Sequence, residues 1–249
     1  MAAAGPVARR ISGPAADPSG SGDASTRFLL YPGAGTDRSH PSLIAIEQRS
    51  PVAVTRLDFP YRRAGRRAPD RAPVLVQSVL DDIDALVRDP GSDPGADPDS
   101  DPSVVPHDHR PVDAVVLGGR SMGGRICSMA APDSPVPVRA LVLVCYPLHP
   151  PGKPDSLRVE HLPRITVPCL FVSGTRDAFG TPAELERWTA TIPGPVTHVW
   201  IEGAGHDLRR CDEVVADAVA SFLTETLSSR ASPASPATRR PHERPTRRT

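Results

Sequence analysis

The segment Gly119-Arg120-Ser121-Met122-Gly123 places a serine between two glycines, each two residues away. An apolar run, Asp113-Ala-Val-Val-Leu117, precedes it, and a helix-compatible run, Arg125-Ile-Cys-Ser-Met-Ala-Ala131, follows. A serine on so tight a strand-to-helix turn is held in a strained backbone conformation, and flanking glycines remove the side chains that would collide there. The expected result is an Oγ raised above the sheet as a nucleophile. A serine hydroxyl is a poor nucleophile at neutral pH, so a base and an acid that orients it are needed. His206 in Gly203-Ala-Gly-His206-Asp follows the last apolar run, and Asp177 in Thr175-Arg-Asp177-Ala-Phe-Gly180 follows the one before it. Asp177 also suits an Asx-turn. Each of the three lies just after an apolar run, in the chain order serine, acid, histidine. An oxyanion would need two backbone N–H groups. Met122, directly after the serine, is one candidate. Ala34 or Gly35, in Tyr31-Pro-Gly-Ala-Gly35, could supply the other, with Ala34 favoured.

These residues need a scaffold that brings the ends of several strands together. Short apolar runs mark six strands: Phe28–Tyr31, Val52–Leu57, Ala114–Leu117, Ala140–Cys145, Cys169–Val172 and Val196–Ile201. Most are continuously apolar, as in a parallel sheet covered on both faces. Helical patterns lie between them. Val76, Val79, Leu80, Ile83, Leu86 and Val87 follow helical spacing, as do Val215, Ala218, Val219, Phe222 and Leu223. Thr181-Pro-Ala-Glu184 is a capping box opening a further helix. This alternation predicts an α/β domain, with a mainly parallel sheet of about six strands and helices on both faces. Ligands bind such sheets at the carboxyl ends of the strands, where the chemistry-bearing residues fall.

The matching stretches LLYPGAG, RLDFPYRRAGRRAPD, LGGRSMGGR, YPLHPPGKPDSLRVEHL, VSGTRDAFG and EGAGHDL span most of residues 28–208. On them the chain resembles an α/β-hydrolase. More narrowly, it resembles the hydrolase-like family shared by bacterial dienelactone-hydrolase-like proteins, a testis-expressed animal protein and a subunit of the animal non-specific-lethal chromatin complex. The resemblance implies a compact sheet lacking the usual first two strands, with little or no cap, and it gives no substrate. Relatives often carry His-Gly in the loop after the first strand, where this chain has Pro32-Gly33. Some relatives serve as scaffolds, so a non-catalytic interaction module stands as the rival to a serine hydrolase acting on a small acyl substrate.

Composition bounds the rest. The chain has 249 residues, 39% apolar and 23% charged, enough for a sizeable core and a single domain. Formal net charge is zero, which argues against the whole molecule being a polyanion binder. Prolines number 31, concentrated where elements are not expected. Residues 1–25 and 230–249 are expected to be disordered tails, the second one basic, on either side of a hydrolase domain at 26–229. Residues 89–111, with six aspartates and six prolines, are expected to form a flexible acidic loop inside that domain. No apolar run approaches membrane-spanning length, and Arg9-Arg10 is not followed by a signal-like hydrophobic segment, so a cytoplasmic protein is expected. Cys127, Cys145, Cys169 and Cys211 form no ligand cluster in sequence and are expected as reduced thiols. No metal or cofactor is expected. Nucleic acid is not an expected partner, because the basic tail lacks interleaved aromatics. Arg62, Arg120 and His149, with Gly35, are candidate substrate contacts near the carboxyl edge. Arg62 could equally brace loops by pairing with nearby acids.

Overall fold

The computed structural model describes residues 8–11, 25–91 and 110–228. Most of the two expected tails and of the acidic loop therefore lies outside the described residues. Seven strands form one sheet: β1 (Ala8–Ile11), β2 (Thr26–Tyr31), β3 (Val54–Arg56), β4 (Ala114–Arg120), β5 (Val138–Val144), β6 (Cys169–Gly174) and β7 (Val196–Ile201). Their order is β1-β7-β6-β5-β4-β2-β3. The six strands expected from the sequence are mutually parallel.

β1 is a correction. Residues 1–25 were expected to hold no element, yet Ala8–Ile11 pairs antiparallel with β7, from Ala8 opposite Ile201 to Ile11 opposite His198. Such pairing is main-chain hydrogen bonding to an open edge, and four residues reading Ala-Arg-Arg-Ile carry no apolar alternation to announce it.

Six helices flank the sheet: α1 (Pro41–Arg49), α2 (Pro60–Arg63), α3 (Ala72–Arg88), α4 (Met122–Ala130), α5 (Pro182–Thr189) and α6 (Asp212–Ser228). The two-residue period of the strands sorts their side chains into two cores. Leu29, Leu117, Leu141, Leu143 and Phe171 face α3, α4 and α5 through Leu75, Val79, Ile83, Ile126 and Leu185. Phe28, Leu30, Val116, Val142, Leu170 and Val172 face α1 and α6 through Leu43, Ile46, Val215, Val219 and Leu223. Covering on both faces explains why the strands read as continuous apolar runs. The Thr181 N–H donates to Glu184 Oε2 at 2.9 Å, and the Glu184 N–H donates back to Thr181 Oγ1 at 3.4 Å, completing the box that opens α5.

From β2 the chain moves outward through α1 to β3, then returns across β2 through α3 to β4. The direction of winding therefore reverses between β2 and β4. The crevice outside their carboxyl ends is where this class of sheet binds ligands. Between β5 and β6 the described chain contains one 3₁₀ turn, Leu162–Arg164, and no inserted domain. Among the described residues, no helix is long and apolar enough to cross a membrane.

Candidate active site

Ser121 is the residue between β4 and α4, with φ 51° and ψ −116°. Positive φ is costly for a side chain with a Cβ. The turn holds it through the Ser121 N–H, which donates to the Val144 carbonyl of β5 at 2.7 Å. The turn closes only because its glycines permit contact. A Cβ at Gly119 would collide with the Tyr31 carbonyl oxygen, and one at Gly123 would lie 2.5 Å from the carbonyl oxygens of both Tyr31 and Pro32. The turn that holds Ser121 thus packs directly on the end of β2.

Ser121 Oγ lies 2.8 Å from His206 Nε2. His206 Nδ1 lies 2.8 Å from Asp177 Oδ2 and 3.0 Å from Oδ1. The three side chains selected by sequence spacing therefore form one hydrogen-bonded line, drawn from the carboxyl ends of β4, β6 and β7. Asp177 is 2% exposed, and its Oδ1 also accepts the Phe179 N–H at 2.8 Å. That is the Asx-turn considered from sequence, and it coexists with the histidine contact. The β6 and β7 loops meet at Gly174, where a Cβ would collide with the Ala204 carbonyl oxygen, and through the Arg176 N–H, which donates to that same oxygen at 2.9 Å. Phe179 stacks on the His206 ring at 4.0 Å between centroids. The stacked ring and the buried carboxylate fix the imidazole plane with Nε2 toward the serine.

The loop after β2 reaches the same crevice. The Gly33 carbonyl accepts from the Thr36 N–H and from Thr36 Oγ1, both at 3.3 Å. Across a trans peptide, the Ala34 N–H then points the opposite way. Ala34 is itself anchored, because Tyr61 Oη donates to its carbonyl at 2.9 Å. Tyr61 belongs to a ladder of buried rings, with Tyr31 and Phe59 5.0 Å apart and Phe59 and Tyr61 6.4 Å apart. Met122 opens α4, so its N–H is one of the donors a helix start leaves without an intrahelical acceptor. Tyr61 and Phe179 were not singled out as site residues from sequence. Both sit in stretches that carried the family resemblance, and that was the available signal.

The candidate substrate contacts fare differently. Arg120 is 7% exposed, and its Nη2 donates to the His206 carbonyl at 2.9 Å. It braces the loop that carries the histidine. Arg62 Nη2 lies 3.3 Å from Asp37 Oδ2, while Asp58 Oδ1 accepts the Arg38 N–H at 2.9 Å, so this group largely braces the loops after β2 and β3. Those residues with Ser39 and Arg67 line a cleft of about 470 Å³. Gly35 is exposed, with open space where a Cβ would be. His149 is buried, with Nδ1 2.9 Å from the Pro150 carbonyl and Nε2 3.6 Å from Glu184 Oε1, contacts that tie its loop to α5.

Cys145 follows β5 with φ 52°, and its Sγ comes within 4.8 Å of the ligand atoms of Asp177 and His206. Burial pushes its thiol up to about 12, which keeps it protonated at neutral pH, and the thiolate is the form that ligates metals. Asp177 and His206 are meanwhile engaged with each other. The four cysteines are buried and unpaired.

The family described as alpha/beta hydrolase domain matches residues 24–225. Solved structures of the same fold include Est1E from Butyrivibrio proteoclasticus with bound ferulic acid, at 15% identity and TM-score 0.62, covering 89% of this chain and 95% of that one. The RedJ thioesterase of the prodiginine biosynthetic pathway in Streptomyces coelicolor is 20% identical at TM-score 0.54, covering 87% and 97%. A dienelactone hydrolase from Anabaena variabilis is 20% identical at TM-score 0.55, covering 88% and 96%. The chain belongs to the alpha/beta hydrolase family.

Proposed function

We propose that this protein is a serine hydrolase that cleaves a small ester or thioester through Ser121, His206 and Asp177. The observation that carries the reading is the continuous line Ser121 Oγ, His206 Nε2, His206 Nδ1, Asp177 Oδ2, with 2.8 Å at both junctions. As Ser121 Oγ attacks the acyl carbon, its proton passes to His206 Nε2. Asp177 holds the Nδ1–H tautomer and stabilises the imidazolium. The oxyanion is held by the N–H groups of Met122 and Ala34, already oriented before charge develops. Collapse transfers the His206 proton to the departing alkoxide or thiolate. A water then gives a proton to His206 and attacks the acyl carbon; the acyl–Oγ bond breaks, His206 returns the proton to Ser121 Oγ, and the free acid leaves. The names of two structures of like fold, a thioesterase and a dienelactone hydrolase, belong to the same reaction class.

The test is labelling with a fluorophosphonate, with the modified residue mapped by mass spectrometry. Wild type is expected to be modified at Ser121, His206→Ala to react far more slowly, and Ser121→Ala not at all while keeping its circular dichroism spectrum. A folded wild type that does not react, or a Ser121→Ala variant labelled to the same extent, overturns the reading.

A further inference from the structure

Among the described residues, Arg125 and Arg158 have no counter-ion. Arg125 lies in the first turn of α4, where its N–H donates to the Ser121 carbonyl at 3.1 Å. That places its Cα one helical turn, about 6 Å, from that of Ser121. Arg158 lies in the loop between β5 and β6, where its N–H donates to the Leu148 carbonyl at 2.9 Å.

One polar network holds both backbones. Ser128 Oγ donates to the Arg125 carbonyl at 2.7 Å, and Tyr146 Oη donates to the Arg158 carbonyl at 3.0 Å. With both hydroxyl protons committed, His161 Nε2 must be the donor that joins them, at 2.8 Å to Ser128 and 3.3 Å to Tyr146. The network is fully buried at Ser128 and Tyr146, so it fixes where the two arginines stand relative to each other.

Among the described residues, neither guanidinium makes a hydrogen bond or an ion pair with protein, although both side chains are partly buried. Arg125 Nε is fully enclosed and has no partner. The two charges also repel: the Arg158 pKa is lowered by burial and then by Arg125. Glu160, the nearby acid, is exposed and pairs with neither. Elsewhere the fold supplies its arginines with acids, as at Arg56–Glu47, Arg62–Asp37 and Arg66–Asp70. Two half-buried cations that repel each other, with no anion among the described residues, cost free energy that a bound anion would recover.

We propose that Arg125 and Arg158 form an anion subsite beside Ser121, which selects esters or thioesters whose acyl part carries a carboxylate or phosphate. The proposal rests on the hydrolase reading. The spacing of Arg125 from Ser121 suits an anion a few bonds from the reacting carbonyl, and planar guanidinium groups match either oxyacid.

The experiment compares 4-nitrophenyl hydrogen succinate with neutral 4-nitrophenyl butyrate. Wild type is expected to favour the anionic ester in kcat/KM. The ratio of anionic to neutral kcat/KM should fall about tenfold in Arg125→Gln and in Arg158→Gln, and Arg125→Lys should retain part of it. Relief of like-charge repulsion should leave the Tm of each Gln variant unchanged or higher, whereas a purely structural role would lower it. A wild-type ratio below one, or a ratio unaltered in both Gln variants, overturns the subsite. Turnover of neither ester by wild type would instead count against the hydrolase reading, and the subsite is then judged by calorimetric titration with monomethyl succinate. Binding weakened at least about tenfold in the Gln variants supports the subsite, and no binding by wild type overturns it.

Discussion

Replacing Gly123 by alanine should disable the site without touching any group that moves a proton. The added Cβ would stand 2.5 Å from the Tyr31 and Pro32 carbonyl oxygens, where ordinary contact begins near 3.4 Å. Both oxygens are backbone, so no side chain can swing aside. Either the loop after β2 retreats by about 0.9 Å or the start of α4 does, and both choices separate the Ala34 and Met122 N–H groups. A misplacement of about 1 Å at a reacting centre costs on the order of 100-fold in rate, and loss of an oxyanion donor costs about 100- to 1,000-fold. Overpacking should also cost about 1–3 kcal/mol of stability, a Tm drop of several degrees. The assay is the second-order rate of fluorophosphonate labelling, which needs the same oxyanion geometry, read beside the thermal melt. Ser121, His206 and Asp177 are all retained, so the rate should fall by far more than the folded fraction does. A Gly123→Ala protein that labels at the wild-type rate would refute the coupling of nucleophile turn and oxyanion loop.

Further expectations follow from other contacts. Asp177→Asn can still accept the Phe179 N–H through its carbonyl oxygen but presents an amide donor to His206, favouring the wrong tautomer. kcat on any ester substrate should drop about 10⁴-fold with little loss of Tm. Tyr61→Phe removes the hydrogen bond to the Ala34 carbonyl and should lower kcat/KM about three- to tenfold, with the ring ladder intact by near-ultraviolet dichroism. Arg120→Met frees the His206 carbonyl and should slow labelling about tenfold. Burial depresses His161 and His198 to about 4 each. Their unfolded forms take up protons near 6.5 while the folded forms do not, so stability should be full above pH 6.5 and decline as pH falls toward 4. Urea midpoints at pH 7 and pH 4.5 should differ less in His161→Gln than in wild type.

Strand positions were legible because both cores demand apolar residues on every strand, and the strand ends were less so. β4 runs on to Arg120, past the expected Leu117, because Gly118 and Gly119 extend the strand up to the nucleophile turn even though they bring no side chains. The second strand was expected from Val52 to Leu57 and is regular only from Val54 to Arg56, since an edge strand has a single neighbour to hold it. The signals of helix α1 are only local: His40 accepts the Ser42 N–H as N-cap just before Pro41, and only about half of the short helix is apolar. At the site, Ser121, Asp177 and His206 could be placed because each lies within about five residues of the carboxyl end of a parallel strand, and that position fixes the edge they share. Arg120 could not. Its neighbour Ser121 suggested a substrate contact, but the side chain of the last strand residue before the turn can point into the fold, and here it reaches the back of the histidine loop. The missing partners of Arg125 and Arg158 could not be read from sequence at all, because composition records charges and not which of them meet.

The antiparallel pairing of β1 with β7 also bears on how separate copies of the chain behave. A sheet has two open margins, and unpaired main-chain groups on a margin recruit strands from other molecules. On one side the margin is β3, only three residues long. On the other, β1 pairs with the last four residues of β7, His198 to Ile201, in a Val-Thr-His-Val-Trp-Ile run of strongly strand-forming residues. Removing Ala8–Ile11 would leave that margin of β7 unpaired. A chain trimmed to begin near Thr26 keeps all of the residues assigned to chemistry here and loses that guard, and is expected to self-associate in light scattering at concentrations where the full chain stays monodisperse.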